Sequence, residues 1–295
     1  MGASFETLAG ALGAPPEEFA DLASADLLAL LEEPPPDART LYYRWERQQW
    51  EAGAIDLAGD RLEWEALDAG VRSWIQALLA TWVPDGGEAQ EILVSFADGV
   101  SAEEDQVFMT TQLADAARHA VAYGLVFEEV VRDGANAGPR RANAGLEKVR
   151  AALRDCSQRT LAAPETSALQ QGLFLNNVVL EGIIGAQGAA HLLDVLRSED
   201  RLRGLRTLLA AVFRDYARHS SFAIGFLQRD ITTNEPMAVE LEPYARSAAS
   251  AVIDTYESAR AASNDDEGGL GTNELRNAAM GTLARRLQDL GLDLP

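Results

Sequence analysis

Cysteine is nearly missing from this chain of 295 residues. Cys156 stands alone, so neither an internal disulfide nor a thiolate cluster for zinc or iron–sulfur can form. Within "EKVRAALRDCSQRTL" it reads as a small half-buried residue of a helix. Lysine is as scarce, with Lys148 the only one, and 25 basic residues against 46 acidic ones leave a formal net charge of −21. Phosphate recognition needs a basic face, which excludes nucleic acid and anionic membranes as partners. With so much alanine, the use of arginine for almost all positive charge reads as genome composition or a salt-adapted surface, not as function. No run reaches the ~18 continuous apolar residues of a membrane helix. The start, "MGASFETLAGALG", lacks the basic opening and apolar core of a signal peptide. A soluble, cytoplasmic protein is the expectation.

What is present is helix. Hydrophobic residues make up 47% of the chain, enough for a sizeable core. Apolar positions recur at the 3.6-residue period between glycine and proline gaps, and strand-like alternation is absent. The spacing predicts two short helices over 1–36, ending at "EEPPPD". Helices follow over 38–51, 60–83, "EAQEILVSFA", and a long one through "AEEDQVFMTTQLADAARHAVAYGLVFEEVVRD" capped by Ser101. Further helices span 142–161, 165–196, 199–229 and 236–262, and a last one covers "ELRNAAMGTLARRLQDLGL". The chain divides into an N-terminal helical extension (1–36), a helical bundle (37–262), and an acidic glycine-rich loop with a C-terminal helix (263–295). "NDDEGGLG" lacks the spacing of a calcium-binding EF-hand loop and reads as a solvated linker.

The core helices carry polar exceptions. Asp115 and His119 are four apart, hence on one helix face, and Asp215 and His219 repeat the spacing. Between them, "LFLNNVVLEGIIGAQGAAHLLDVL" is apolar nearly all round, as in a helix inside a bundle, yet it holds Glu181. A buried carboxylate must be paired, protonated or metal-bound. The open choices are a salt bridge to Arg118 or Arg218, a bond to either histidine, or a metal. Two helical histidines and a buried glutamate suit non-haem iron or manganese. His191, in "GAAHLLDVL", reads as structural, and Trp45, Trp50, Trp64, Trp74 and Trp82 as packing.

These residues resemble the branch of the ferritin-like superfamily that holds the ribonucleotide reductase small subunits and their ligand-binding oxidase relatives. The likeness covers most of 38–260. It opens with "YYRWERQQWEAGAIDLAGDRLEWEAL", similar to the family pattern at Trp50, Ile55, Asp56, Leu57, Asp60 and Trp64. It continues through "TTQLADAARHA", "VVLEGIIG" and "VFRDYARHSSFAIGFL". The resemblance implies an all-α ferritin-like bundle, a homodimer, and an iron or manganese centre acting on O₂ and a small-molecule substrate.

Carried over by position, His119, Glu181 and His219 fall on ligand sites. Asp115 and Asp215 lie next to the ligand glutamates, as replacement ligands or as groups orienting an imidazole. Tyr123 lies where some reductase subunits place the radical tyrosine. The departures are large. The glutamates of both Glu-x-x-His motifs are replaced, by Ala116 and Tyr216, the latter a phenolate ligand or a ring filling the vacated space. The first carboxylate position falls on Gly86 or Gly87, flanked by Asp85 and Glu88, with Glu88 the substitute candidate. The oxidase crosslink tyrosine is Asn176 here, and no tyrosine follows Tyr256 to relay a radical. Three readings follow: a non-haem Fe/Mn oxidase with a reduced or rearranged site, a metal-free pseudoenzyme serving as a partner or binding subunit, or a reductase subunit with a radical at Tyr123 or Tyr216.

Overall fold

Apolar residues recurring every three or four positions, between stretches rich in Gly, Pro and Asp, fold this chain into helices layered on one another. The structure, a computed structural model, describes residues 21, 23–82, 87–132, 144–163, 167–233, 236–263 and 271–292, and among these there is no strand. The first helix expected within 1–36, the "NDDEGG" part of the acidic loop, and Asp85 and Gly86 lie outside the described residues.

Helix α1 spans Ser24–Leu31 and α2 Ala38–Arg47. Asp37 caps α2 by accepting from the Thr40 amide at 2.7 Å. The single helix expected over 60–83 is two, α3 (Asp60–Ala66) and α4 (Ala69–Trp82). The break comes at Asp68, whose carboxylate takes the Gly70 amide at 2.7 Å and offers the backbone an alternative to continuing the helix. Helix α5 is Glu88–Gly99, and α6 runs Glu103–Leu125 into a π-helical turn, Val126–Val131. The expected Ser101 cap is not used: Ala102 holds the cap position with no side-chain bond. Instead Glu103, Glu104 and Asp105 place negative charge in the first turn, against the helix dipole.

Helix α7 (Ala144–Ala162) precedes a continuous rod made of α8 (Ala168–Leu173), a π-helical stretch (Phe174–Gly185) and α9 (Ala186–Ser198). Helices α10 (Arg203–Thr233), α11 (Pro236–Ser263) and α12 (Thr272–Asp289) complete the bundle. The rod is long and apolar enough to cross a membrane, but 72% of its most apolar window is buried in the bundle. It lies against α10 because its glycines permit close approach. A Cβ at Gly182 would meet Ser220 Oγ at 2.5 Å, and one at Gly185 would meet the Tyr216 ring at 2.6 Å.

Asp60 fixes where α10 begins. Its carboxylate accepts the amides of Gly204 at 3.0 Å and Leu205 at 2.6 Å, filling two donors that a helix start leaves unpaired. Asp60→Ala is therefore expected to cost roughly 1–3 kcal/mol in denaturant unfolding, the cost of orphaned buried amides and a lost cap. A change below about 0.3 kcal/mol would show that α10 is positioned by packing alone.

Candidate functional site

Helices α6 and α10 present Asp115/His119 and Asp215/His219 to each other, and the pairing is crossed. The Asp215 carboxylate faces His119 Nε2 at 3.0 Å, and the Asp115 carboxylate faces His219 Nε2 at 3.1 Å. Each aspartate thus orients the imidazole of the opposite helix. Arg218 ties the two together, donating from one nitrogen to Asp115 at 2.5 Å and to Asp215 at 2.8 Å. Arg118 adds a contact to Asp115 at 3.3 Å.

Indoles complete the carboxylates. Trp45 Nε1 donates to Asp115 and Trp50 Nε1 to Asp215, both at 3.0 Å. These two tryptophans are hydrogen-bonding members of the site, where the sequence reading made them packing. An indole pattern alone carries no sign of its buried acceptor. Trp50 also stacks beside His119 and lies under the Arg118 guanidinium at 5.2 Å.

Glu181 faces His219, with Oε2 at 2.9 Å from Nδ1. Of the pairings open to it, neither arginine is used; both turn to the aspartates. The π register also places Asn176 five residues before Glu181 on the same side, and its amide reaches Glu181 Oε1 at 3.4 Å. An α-helix would not align those two positions. Gln112 and Asn177 exchange amide hydrogen bonds at 2.9 and 3.1 Å, and Asn177 donates to the His219 carbonyl at 3.2 Å, pinning the π segment to α6 and α10. Sequence reasoning passed over these two and Arg214. Polar residues on otherwise apolar helix faces, the signal that exposed Glu181, would have found them.

Electrostatics follow from the geometry. Burial disfavours a charged His219, but the Glu181 charge and the hydrogen bonds to Asp115 and Glu181 outweigh it and lift the pKa to about 9. Both ring nitrogens face carboxylates that can only accept, an arrangement that favours the protonated ring. Burial would raise Asp115 and Asp215, yet Arg218 and the histidines hold both below the usual carboxylate range. Burial also raises Tyr123 and Tyr216 above the ordinary phenol range. Tyr216 is therefore a neutral phenol, its ring edge-on to His119 at 5.4 Å, and it fills space against Gly185. The phenols of Tyr123 and Tyr216 influence each other's ionisation without forming an aligned hydrogen bond.

Glu88 lies at the rim, paired with Arg154 at 2.7 Å. A cavity of about 100 Å³ opens between His119, Glu181, Asn176, Tyr216, Ala116 and Glu88. Elsewhere, His191 sits edge-on to Trp74 at 5.7 Å, away from the site. Cys156 is fully buried, and burial pushes its thiol up to about 11, where it is unreactive.

A dimetal centre does not fit this donor set. Both His219 ring nitrogens already face carboxylates, two glutamates are absent, and Glu88 is held by an arginine. Asp115, Asp215 and Glu181 are already balanced by Arg118, Arg214 and Arg218 before His219 adds its own charge. Two divalent ions would bring about four further positive charges with no acids to meet them. Among the described residues, no group of three or more His, Cys, Asp or Glu side chains is arranged to hold a metal ion.

Comparison with known proteins places the chain in a family. Residues 32–267 match the family model described as ribonucleotide reductase, small chain. The chain belongs to the ribonucleotide reductase small-chain family. The ribonucleoside-diphosphate reductase small chain of African swine fever virus is 26% identical over 204 residues, covering 68% of this chain and 61% of the viral one. The chain therefore spans about three fifths of the length of that relative. The Nicotiana tabacum small chain is 29% identical over 119 residues, 40% of this chain and 36% of its own. Among solved structures, an R2-like ligand-binding oxidase variant with a non-activated Mn/Mn cofactor superposes with a TM-score of 0.75 at 18% identity, covering 86% of this chain and 93% of the oxidase. Another variant of that oxidase, with an anaerobically reconstituted Mn/Fe cofactor, gives 0.77 at 17% with the same coverage. At these identities the likeness establishes the fold: this small-chain family member is an all-α bundle of the ferritin-like type.

Proposed function

We propose that this member of the small-chain family works without a dimetal centre, as a binding or partner subunit. In this reading the former metal site is a self-satisfied network of Asp115, Asp215, Glu181, Arg218, His119 and His219. The observation that carries it is His219, whose two ring nitrogens both face carboxylates, at 2.9 and 3.1 Å, so a carboxylate occupies each position a metal could take. The network holds α6, α10 and the π segment in register. The cavity beside it stays free for a small molecule. A homodimer, or a pairing with a homologous chain that keeps its ligand glutamates, is the assembly this reading implies.

The test is metal content per chain by mass spectrometry, on protein expressed with iron and manganese supplied, alongside a His119→Ala/His219→Ala control. Less than about a tenth of an equivalent, unchanged in the control, is expected where arginine and histidine already engage the carboxylates. About one or two metals per chain, lost in the control, would instead support the Fe/Mn oxidase with a rearranged site, drawing on His119, Glu181 and His219 with Asp115, Asp215 or Glu88. Co-expression with an intact homologue and co-purification tests the partner role directly.

A further inference from the structure

We propose that the cavity between α1, α9 and α12 is a binding site for a small zwitterion of the free-amino-acid type, its carboxylate on Arg286 and its ammonium among Glu32, Gln187 and Asp289. The cavity holds about 500 Å³, within the roughly 300–1,000 Å³ common to small-molecule sites. None of the residues of the Asp–His network lines it.

Arg286 is 7% exposed, and its one side-chain hydrogen bond among the described residues runs from Nη1 to Asp289 at 3.0 Å. Nε and Nη2 find no acceptor among those residues, yet neither is sealed in the core, so both open onto the cavity that Arg286 lines. These two nitrogens are the parallel pair of the guanidinium, the fork that a carboxylate meets with both oxygens. Burial holds Arg286 below the ordinary guanidinium range in spite of Asp289, which favours a second carboxylate beside it. Acceptors line the same space. Gln187, 4% exposed, donates to Thr282 at 2.7 Å, which leaves its side-chain oxygen without a donor. Glu32 and Asp289 each give one oxygen to an arginine and keep the other. An ammonium brings three donors to such a set. The pair of Glu32 and Arg285 at 2.9 Å is more than half exposed on both sides, so a ligand opens it at little cost. The charges match as well. Two arginines and two acids line the cavity, which suits a ligand carrying both signs and no net charge. Leu28 and Leu31 add an apolar wall, which selects an apolar side chain on that ligand.

The experiment is isothermal titration calorimetry of the full chain with L-leucine, N-acetyl-L-leucine and L-leucinamide. Leucine is expected to bind with a Kd below about 1 mM. The acetyl compound lacks the ammonium and the amide lacks the carboxylate, so each is expected to bind at least about tenfold more weakly. No binding of leucine, or equal binding of either analogue, overturns the assignment. Two variants test the place. A Cβ at Gly281 meets nothing within 4 Å, so Gly281→Trp grows into the cavity without a backbone clash. It is expected to abolish leucine binding with helical content unchanged. Arg286→Gln is expected to weaken leucine at least about tenfold and to leave leucinamide as it was. Leucine binding that survives undiminished in either variant overturns the site. Should a variant fail to fold, the three compounds on the unaltered chain decide.

Discussion

Replacing Arg218 with methionine is expected to cost this protein about 3–5 kcal/mol of folding free energy, a large part of an ordinary domain's stability. Among the described residues Arg218 is the single cation that touches both Asp115 and Asp215, and all three side chains are buried. Removing it leaves Asp215 without its arginine contact and Asp115 with Arg118 alone at 3.3 Å, in a place water does not reach. Each keeps an indole and a histidine contact, but neither indole carries charge. Arg218→Lys is expected to recover only part of the loss, because one ammonium cannot copy a planar fork that also reaches Gln48 at 2.6 Å. The decisive comparison is the triple variant Asp115→Asn, Asp215→Asn, Arg218→Met in guanidinium unfolding. If the network is a closed charge group, most of the loss returns when the acids leave with the arginine, and the cycle shows coupling above about 1 kcal/mol. Additive losses across the cycle would sink the idea.

Raising the pH should weaken the fold on the alkaline side. The pKa of His219 stands at about 9 in the folded chain, against an ordinary value of 6.5. A group whose folded pKa is raised stabilises fully below its unfolded value and loses that contribution as pH rises through the folded one. The window here runs from about 6.5 to somewhat above 9, and the ceiling is roughly 3 kcal/mol. Denaturant midpoints measured from pH 6 to 10 should fall across it, and His219→Gln should flatten that slope. Nitrogen NMR offers an independent reading: at neutral pH both His219 ring nitrogens should carry protons. A neutral His219 at pH 7, or stability that climbs between pH 7 and 9, would contradict the arrangement of Glu181 and Asp115 about the ring.

Much of the bundle was legible from periodicity alone, because burying one apolar face dictates where helices run. The misplacements arose where local hydrogen bonding competes with helix. Asp68 divides one expected helix into two, and Ser101 yields its cap to a cluster of first-turn acids. The π-helical stretch Phe174–Gly185 left no trace in the pattern. Its i→i+5 register depends on how Gly182 and Gly185 let α10 approach, a relation between segments far apart in the chain.

By itself, the sequence determined the helical class, the family resemblance, and the candidates His119, Glu181, His219, Asp115 and Asp215. Residue type and spacing are local properties, and those were enough. It also exposed the loss of two glutamates at Ala116 and Tyr216. Only the tertiary structure decided what the survivors do. It crossed the two Asp–His pairs, brought Arg218 between the aspartates, turned Glu181 onto His219 and brought the indoles of Trp45 and Trp50 to the carboxylates. Whether a buried carboxylate meets a cation, a proton or a metal depends on which groups lie within about 3 Å of it, and chain separation does not fix that distance.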